Sequence, residues 1–209
     1  MEAIAPPRYS LFQGFSQSED GMPRTNFRDA LQLYRAGLDQ LFLRMNRREI
    51  SIVSSVMRRS KRRPLSALLN VTNRLCNGWV YLPLVLWLSL LREWRLLLVA
   101  ALGTAISFAL YLSAKPRLAR MRPCHYAEDL STGTRYLDLY SFPSGHCMTL
   151  SVVSVLLCWQ HHAVIPLFTA MVLLLSWARI AAAHHYPSDL IAGIAVGMCV
   201  GVPVAAMLL

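Results

Sequence analysis

LLLVAALGTAISFALYLSA, Leu96–Ala114, is a run of nineteen residues without a charge. At 1.5 Å rise per residue it makes a helix about 28 Å long. That nearly matches the roughly 30 Å hydrocarbon thickness of a bilayer, and a helix apolar on every side of its surface is suited to lipid. Working outward, Leu75–Leu91 is apolar apart from Asn77 and Ser89, and the intervening Arg92-Glu93-Trp94-Arg95 reads as a tight turn that returns the chain. Residues 116–142 are polar and turn-rich. Apolar character then resumes over Cys147–Trp159, Ala163–Ala178 and Leu190–Leu209. The expected fold is therefore all-α, a polytopic membrane helix bundle of about five transmembrane helices spanning residues 75–209.

Composition supports that class. Hydrophobic residues make up 55% of the 209, yet the formal net charge is +10. Nucleic-acid binders are basic but seldom this apolar, so no nucleic-acid partner is expected and the charge is assigned to anionic lipid of the bilayer. Eight basic residues lie between Arg44 and Arg63, with Glu49 the only acid among them. Before them, Phe27, Leu31, Tyr34, Leu38, Leu41 and Met45 follow a helical period, with Asn26 as N-cap and Asp29 in the first turn. Residues 26–74 are accordingly read as a basic, amphipathic, interfacial region, and 1–25 as a flexible tail. That tail lacks an apolar core after a basic start, which argues against a cleaved signal peptide. The five cysteines show no CxxC pair and read as free thiols rather than a disulfide framework or zinc site.

Three polar clusters sit at helix ends: Lys115 with Arg122-Pro123, then Pro143-Ser144-Gly145-His146, then Arg179, His185 and Asp189. Each alone has an ordinary explanation, such as a snorkelling cation or a proline-initiated helix. Together, parity of crossings puts all three on one side. The two helices between His146 and Arg179 have about 15 residues each and span about 23 Å, so the site should lie slightly recessed into the bilayer. The residue types suit a phosphoryl group. Lys115, Arg122 and Arg179 would neutralise its oxygens. The N–H groups of Ser144 and Gly145 would bind it at a helix start. His185, four residues before Asp189, would attack phosphorus with one ring nitrogen while the carboxylate holds the other. His146 would protonate the leaving oxygen. Neither a metal nor a cofactor is called for by this pattern. His184, His161, His162, Cys124 and His125 are assigned no catalytic part.

At these residues the chain resembles the type 2 phosphatidic acid phosphatase superfamily, with its ordered motifs K-x6-RP, PSGH and SR-x5-H-x3-D. The resemblance covers about residues 75–205. It implies a phosphohistidine on His185, His146 as general acid, Asp189 as its orienting partner, and phosphate binding by Lys115, Arg122, Ser144, Gly145 and Arg179. Ala178 stands where the family usually has serine, a departure expected to weaken one phosphate hydrogen bond while leaving nucleophile, acid and cations intact. The expected activity is metal-independent hydrolysis of a lipid phosphomonoester or diphosphate. A vanadium-haloperoxidase-like enzyme and a non-catalytic lipid-binding membrane protein are the competing readings.

Two further expectations concern placement. Nine basic residues precede Leu75 on short flanks, counting Arg74, whereas the first opposite loop offers Arg92 and Arg95. Basic flanks stay inside, so the site is expected to face the cytoplasm from a bacterial cytoplasmic (inner) membrane. Gly193, Gly197 and Gly201 recur every four residues and form a groove for close helix approach, which would serve a homo-dimer.

Overall fold

The computed structural model describes residues 27–127, 130 and 138–209. The expected tail and the Asn26 cap lie outside them. The described residues form eight α-helices: α1 Phe27–Ser60, α2 Arg63–Arg74, α3 Tyr81–Leu90, α4 Trp94–Leu118, α5 Pro123–Tyr126, α6 Gly145–Gln160, α7 Ile165–Ala181 and α8 Pro187–Leu208. A five-residue π-helical segment, Leu75–Trp79, joins α2 to α3, and Gly78 there takes φ 113°. The chain divides into two units between Leu38 and Asp39. The first is helical from Phe27, with Leu33 and Tyr34 exposed. The second holds everything described below.

The Arg92–Arg95 turn forms as expected, with Arg92 at φ 58° and α4 starting at Trp94. Three described segments are long and apolar enough to cross a membrane: Trp94–Leu118, His162–Ala181 and Pro187–Leu208. Tyr81–Leu90 and Gly145–Gln160 are apolar but shorter. Many large side chains of these helices point outward: Leu98 is 71% exposed, Leu173 66% and Ile191 68%. In water such a surface would aggregate; in lipid it is the solvated face.

The tightest packing is between α6 and α8, which make the most extensive helix–helix contact. It depends on the glycine stripe. A Cβ on Gly193 would stand 2.5 Å from the Ser144 carbonyl oxygen, one on Gly197 2.5 Å from that of Met148, and one on Gly201 3.0 Å from Val155. All three glycines are buried. The groove exists, and α6 of the same chain packs into it.

In the N-terminal region the anticipated apolar stripe and the buried face of α1 are different faces. Tyr34 and Leu41, on the anticipated apolar stripe, are exposed. The buried face of α1 instead carries Phe42, Asn46, Val53 and Met57. Val53 and Met57 pack with Leu130, Ala183 and Tyr186. The segment Glu49–Met57 is thus part of α1, with Val53 and Met57 on its buried side.

Candidate active site

Sharp local turns bring the three clusters together. α4 ends on Lys115 and Arg117 in its last turn, where cations suit the dipole, and Ala119 takes a left-handed φ of 45° that redirects the chain. The following strand-like stretch is pinned by a bridge between Met121 and Tyr140 and by the Ser141 N–H donating to the Arg120 carbonyl at 2.8 Å. Ala183, at φ 53°, makes the equivalent bend after α7. Non-glycine residues in that region cost of order 1–3 kcal/mol each and cluster at functional sites.

The expected residues converge. Lys115, Arg122, Arg179, His185 and Asp189 are all buried. Arg122 Nη1 donates to the His184 carbonyl at 2.7 Å and lies 3.5 Å from His185 Nε2. His146, at the second position of α6, lies within electrostatic reach of Arg179, His185, Lys115 and Arg122. Burial, and then the charges of Arg122, Lys115 and Arg179, hold the His185 pKa well below the usual histidine value. The ring is therefore neutral at pH 7.

Two details of the site differ from expectation. α6 begins at Gly145, with Ser144 as N-cap, and the Ser144 N–H is taken by the Asp189 carbonyl at 3.0 Å. The N–H groups without an intrahelical acceptor at this helix start are therefore those of Gly145 and His146 rather than that of Ser144. The Ser144 hydroxyl is buried with no hydrogen-bond partner among the described residues. A Cβ on Gly145 would sit 2.6 Å from the Tyr111 ring. Second, Asp189 Oδ2 is 3.6 Å from His185 Nδ1, whereas the Ser141 carbonyl is 2.8 Å away. A carbonyl only accepts, so Nδ1 carries the proton and Nε2 the lone pair. Ser141 is the nearer orienting partner in this state.

Asp138 has no counterpart in the sequence reading. Its Oδ1 accepts from Lys115 Nζ at 2.5 Å and Arg122 Nη2 at 2.8 Å, and its Oδ2 accepts from the Tyr111 hydroxyl. Burial pushes the Asp138 pKa up, but hydrogen bonds from Lys115 and Tyr111 and the charges of Arg122 and Lys115 outweigh it and hold it down to about 2. A carboxylate thus occupies the cationic cluster. Beside it, His146 lines an apolar cavity of about 160 Å³ together with Leu75, Tyr81, Leu150, Met171 and Leu175. Among the described residues no group of three or more His, Cys, Asp or Glu side chains could hold a metal ion. Cys124, Cys147, Cys158 and Cys199 are free thiols.

Apolar helices gathered around a buried cationic site with two histidines define a class: an integral-membrane enzyme acting on an anionic group. Residues 92–208 match the family model of the PAP2 superfamily. The chain is 32% identical over 126 residues to decaprenylphosphoryl-5-phosphoribose phosphatase of Mycobacterium tuberculosis, covering 60% of this chain and 69% of that protein. Two crystal structures share the fold. Aquifex aeolicus LpxE has a TM-score of 0.61 at 21% identity, covering 76% of this chain and 94% of that one. A PAP2-type phosphatidylglycerolphosphate phosphatase from Bacillus subtilis has 0.65 at 18%, covering 85% and 94%. The protein belongs to the PAP2 superfamily, and it is a membrane phosphatase.

Proposed function

We propose that the protein hydrolyses a phosphomonoester or diphosphate of a lipid, without a metal ion, through a phosphohistidine on His185. The observation that carries the lipid assignment is the juxtaposition at His146 of the cationic cluster with an apolar cavity. The phosphoryl oxygens are held by Lys115, Arg122 and Arg179 and by the N–H groups that open α6. The His185 Nε2 lone pair attacks phosphorus and the bond from phosphorus to the lipid oxygen breaks, while His146, protonated once the anionic phosphoryl group offsets the neighbouring cations, donates a proton to that oxygen. Water, deprotonated by His146, then attacks phosphorus, breaks the P–N bond and releases phosphate, restoring both histidines. Three cations supply the charge stabilisation that a phosphoryl transfer needs. The apolar part lies toward Leu150, Met171 and Leu175. Candidate substrates are phosphatidic acid, phosphatidylglycerophosphate, a polyprenyl phosphate or diphosphate, and a lipid-linked sugar phosphate, the type nearest to the mycobacterial relative's name.

The test is phosphate release from that panel by detergent-purified protein in EDTA, with vanadate as inhibitor. Strict dependence on a divalent metal, or release from none of the panel, overturns the reading; halide oxidation with added vanadate would favour the haloperoxidase alternative.

Asp138 makes a sharper expectation. Its carboxylate holds the same cations that would bind phosphate, so Asp138→Asn should tighten vanadate binding by roughly tenfold or more, since a charge-assisted contact is worth about 1.5–3 kcal/mol. The ligand-free variant should be less stable, with two buried cations left unneutralised. Because the folded pKa of about 2 lies below the ordinary 3.8, Asp138 contributes stability that is full above pH 3.8 and lost as pH falls toward 2. Thermal shift with and without vanadate measures both effects; unchanged vanadate affinity rejects the competition.

The basic flank favours a cytoplasmic N-terminus, and with two crossings before Lys115 the site would open to the cytoplasmic side of a bacterial inner membrane. Single cysteines at Tyr126 and His162, in a background with the native cysteines replaced, report this in intact cells. Labelling of His162→Cys alone by an impermeant reagent is expected, and labelling of Tyr126→Cys alone reverses the orientation.

A further inference from the structure

Arg120 lies between Lys115 and Arg122, and the chemistry above makes no use of it. Its side chain is nevertheless wholly buried. Nη1 donates to Asp189 Oδ1 at 2.7 Å and to the Ser188 hydroxyl at 2.6 Å. Nε donates to Asn46 Oδ1 at 2.9 Å, and Nη2 is 3.7 Å from Glu49 Oε2. The guanidinium lies between the rings of Phe42 and Tyr186, 5.3 and 4.2 Å from their centroids. Glu49 completes the cluster by accepting from both the backbone N–H and the hydroxyl of Ser188, at 3.1 and 2.9 Å. A carboxylate from α1 thereby sits at the N-terminus of α8, where negative charge is favoured.

This arrangement divides the work of Asp189. With Oδ1 fixed by Arg120, Oδ2 accepts from the Tyr186 N–H at 2.8 Å and faces His185 Nδ1. The residue immediately before that clamped turn is His185. Buried ions cost several kcal/mol each to desolvate, and unpairing them is worse, so the cluster holds one geometry. Asn46 and Glu49 lie outside the stretch that matches the family model. α1 nevertheless reaches the centre of the site.

We propose that Arg120, held by Asn46 and Glu49 of α1, is a positioning residue that fixes Asp189 and the first turn of α8 and thereby the His185 imidazole. This rests on the phosphohistidine reading above. The test compares wild type with Arg120→Met, Arg120→Lys and Glu49→Ala, on whichever lipid phosphate of the panel wild type hydrolyses fastest, with vanadate binding measured in parallel. Arg120→Met should lower kcat on the order of 10²-fold, the usual scale of a misplaced reacting group. KM and vanadate affinity should hold, because Lys115, Arg122 and Arg179 are intact. Arg120→Lys should recover part of kcat, since it keeps the charge but not the planar fork. Equal kcat in Arg120→Met overturns the inference, as does a loss of vanadate binding in step with kcat and no recovery in Arg120→Lys, which marks a purely structural role. If Arg120→Met does not fold, Glu49→Ala decides: lowered kcat at constant KM supports the clamp, and wild-type kcat overturns it. No phosphate release by wild type overturns the functional reading, and this inference with it.

Discussion

His185→Ala should abolish phosphate release, with a loss on the order of a thousandfold or more, while the protein still binds vanadate. The size follows from the role: removing a nucleophile leaves only binding and electrostatic stabilisation. The geometry specifies the attacking atom. Nδ1 faces the Ser141 carbonyl at 2.8 Å and must donate, so Nε2, 3.5 Å from Arg122 Nη1, carries the lone pair. Burial and three neighbouring cations keep the ring unprotonated, so the nucleophile stays available as pH falls through the ordinary histidine value near 6.5. A depressed folded pKa also means that His185 contributes stability that is full above about pH 6.5 and declines as pH falls below it. His146→Ala should cost about 10²–10⁴-fold, the scale of a general acid, and proportionally less on substrates with better leaving groups. Wild-type turnover in His185→Ala would end the phosphohistidine mechanism, whatever the result for His146.

What the sequence disclosed of this site and what it hid have separable causes. Lys115, Arg122, His146, Arg179, His185 and Asp189 are recognisable because each sits at a helix end with a fixed spacing to a neighbour, and that spacing survives without the fold. Asp138 and Arg120 could not be read that way. Asp138 acts through Lys115 and Arg122, 23 and 16 residues away, and Arg120 through Asn46, 74 residues away. The Ser141 carbonyl is invisible in principle, since every residue has one. The one available signal was Glu49, a lone acid among eight bases: a single opposite charge in such a run invites a search for a buried partner.

The helices show the same division. A charge-free run of nineteen residues identifies its environment by itself, and α4 extends over it. Hydrophobicity does not distinguish a face against lipid from a face against protein. The stripe through Tyr34 and Leu41 was visible for that reason, while the working face of α1, with Asn46 and Glu49 upon it, read as polar. The apolar run from Leu75 holds a π-helical segment and a Gly78 at positive φ, neither of which hydropathy signals.

Gly197→Leu should destabilise the protein severely and take activity with it. Even Gly197→Ala would place a Cβ 2.5 Å from the Met148 carbonyl oxygen and 2.7 Å from Ser151 Cβ. The nearest obstacle is backbone, so relief requires α6 and α8 to move apart. Overpacking typically costs about 1–3 kcal/mol, and leucine, with three more carbons aimed into the same gap, should exceed alanine. Separation of these helices would also reach the chemistry. One turn toward the site, Gly193 lets α8 approach the Ser144 carbonyl, and the Ser144 N–H is bound to the Asp189 carbonyl at 3.0 Å. That contact sets the distance between His146, at the start of α6, and His185, just before α8. Because α6 of the same chain fills the stripe, the damage should appear in thermal stability and kcat, with no shift in a monomer–dimer equilibrium. Melting in detergent, turnover and light scattering on Gly197→Ala and Gly197→Leu measure the three. Wild-type stability in Gly197→Leu would show that α6 does not lie on this stripe; a change confined to oligomeric state would return the glycines to an interface between chains.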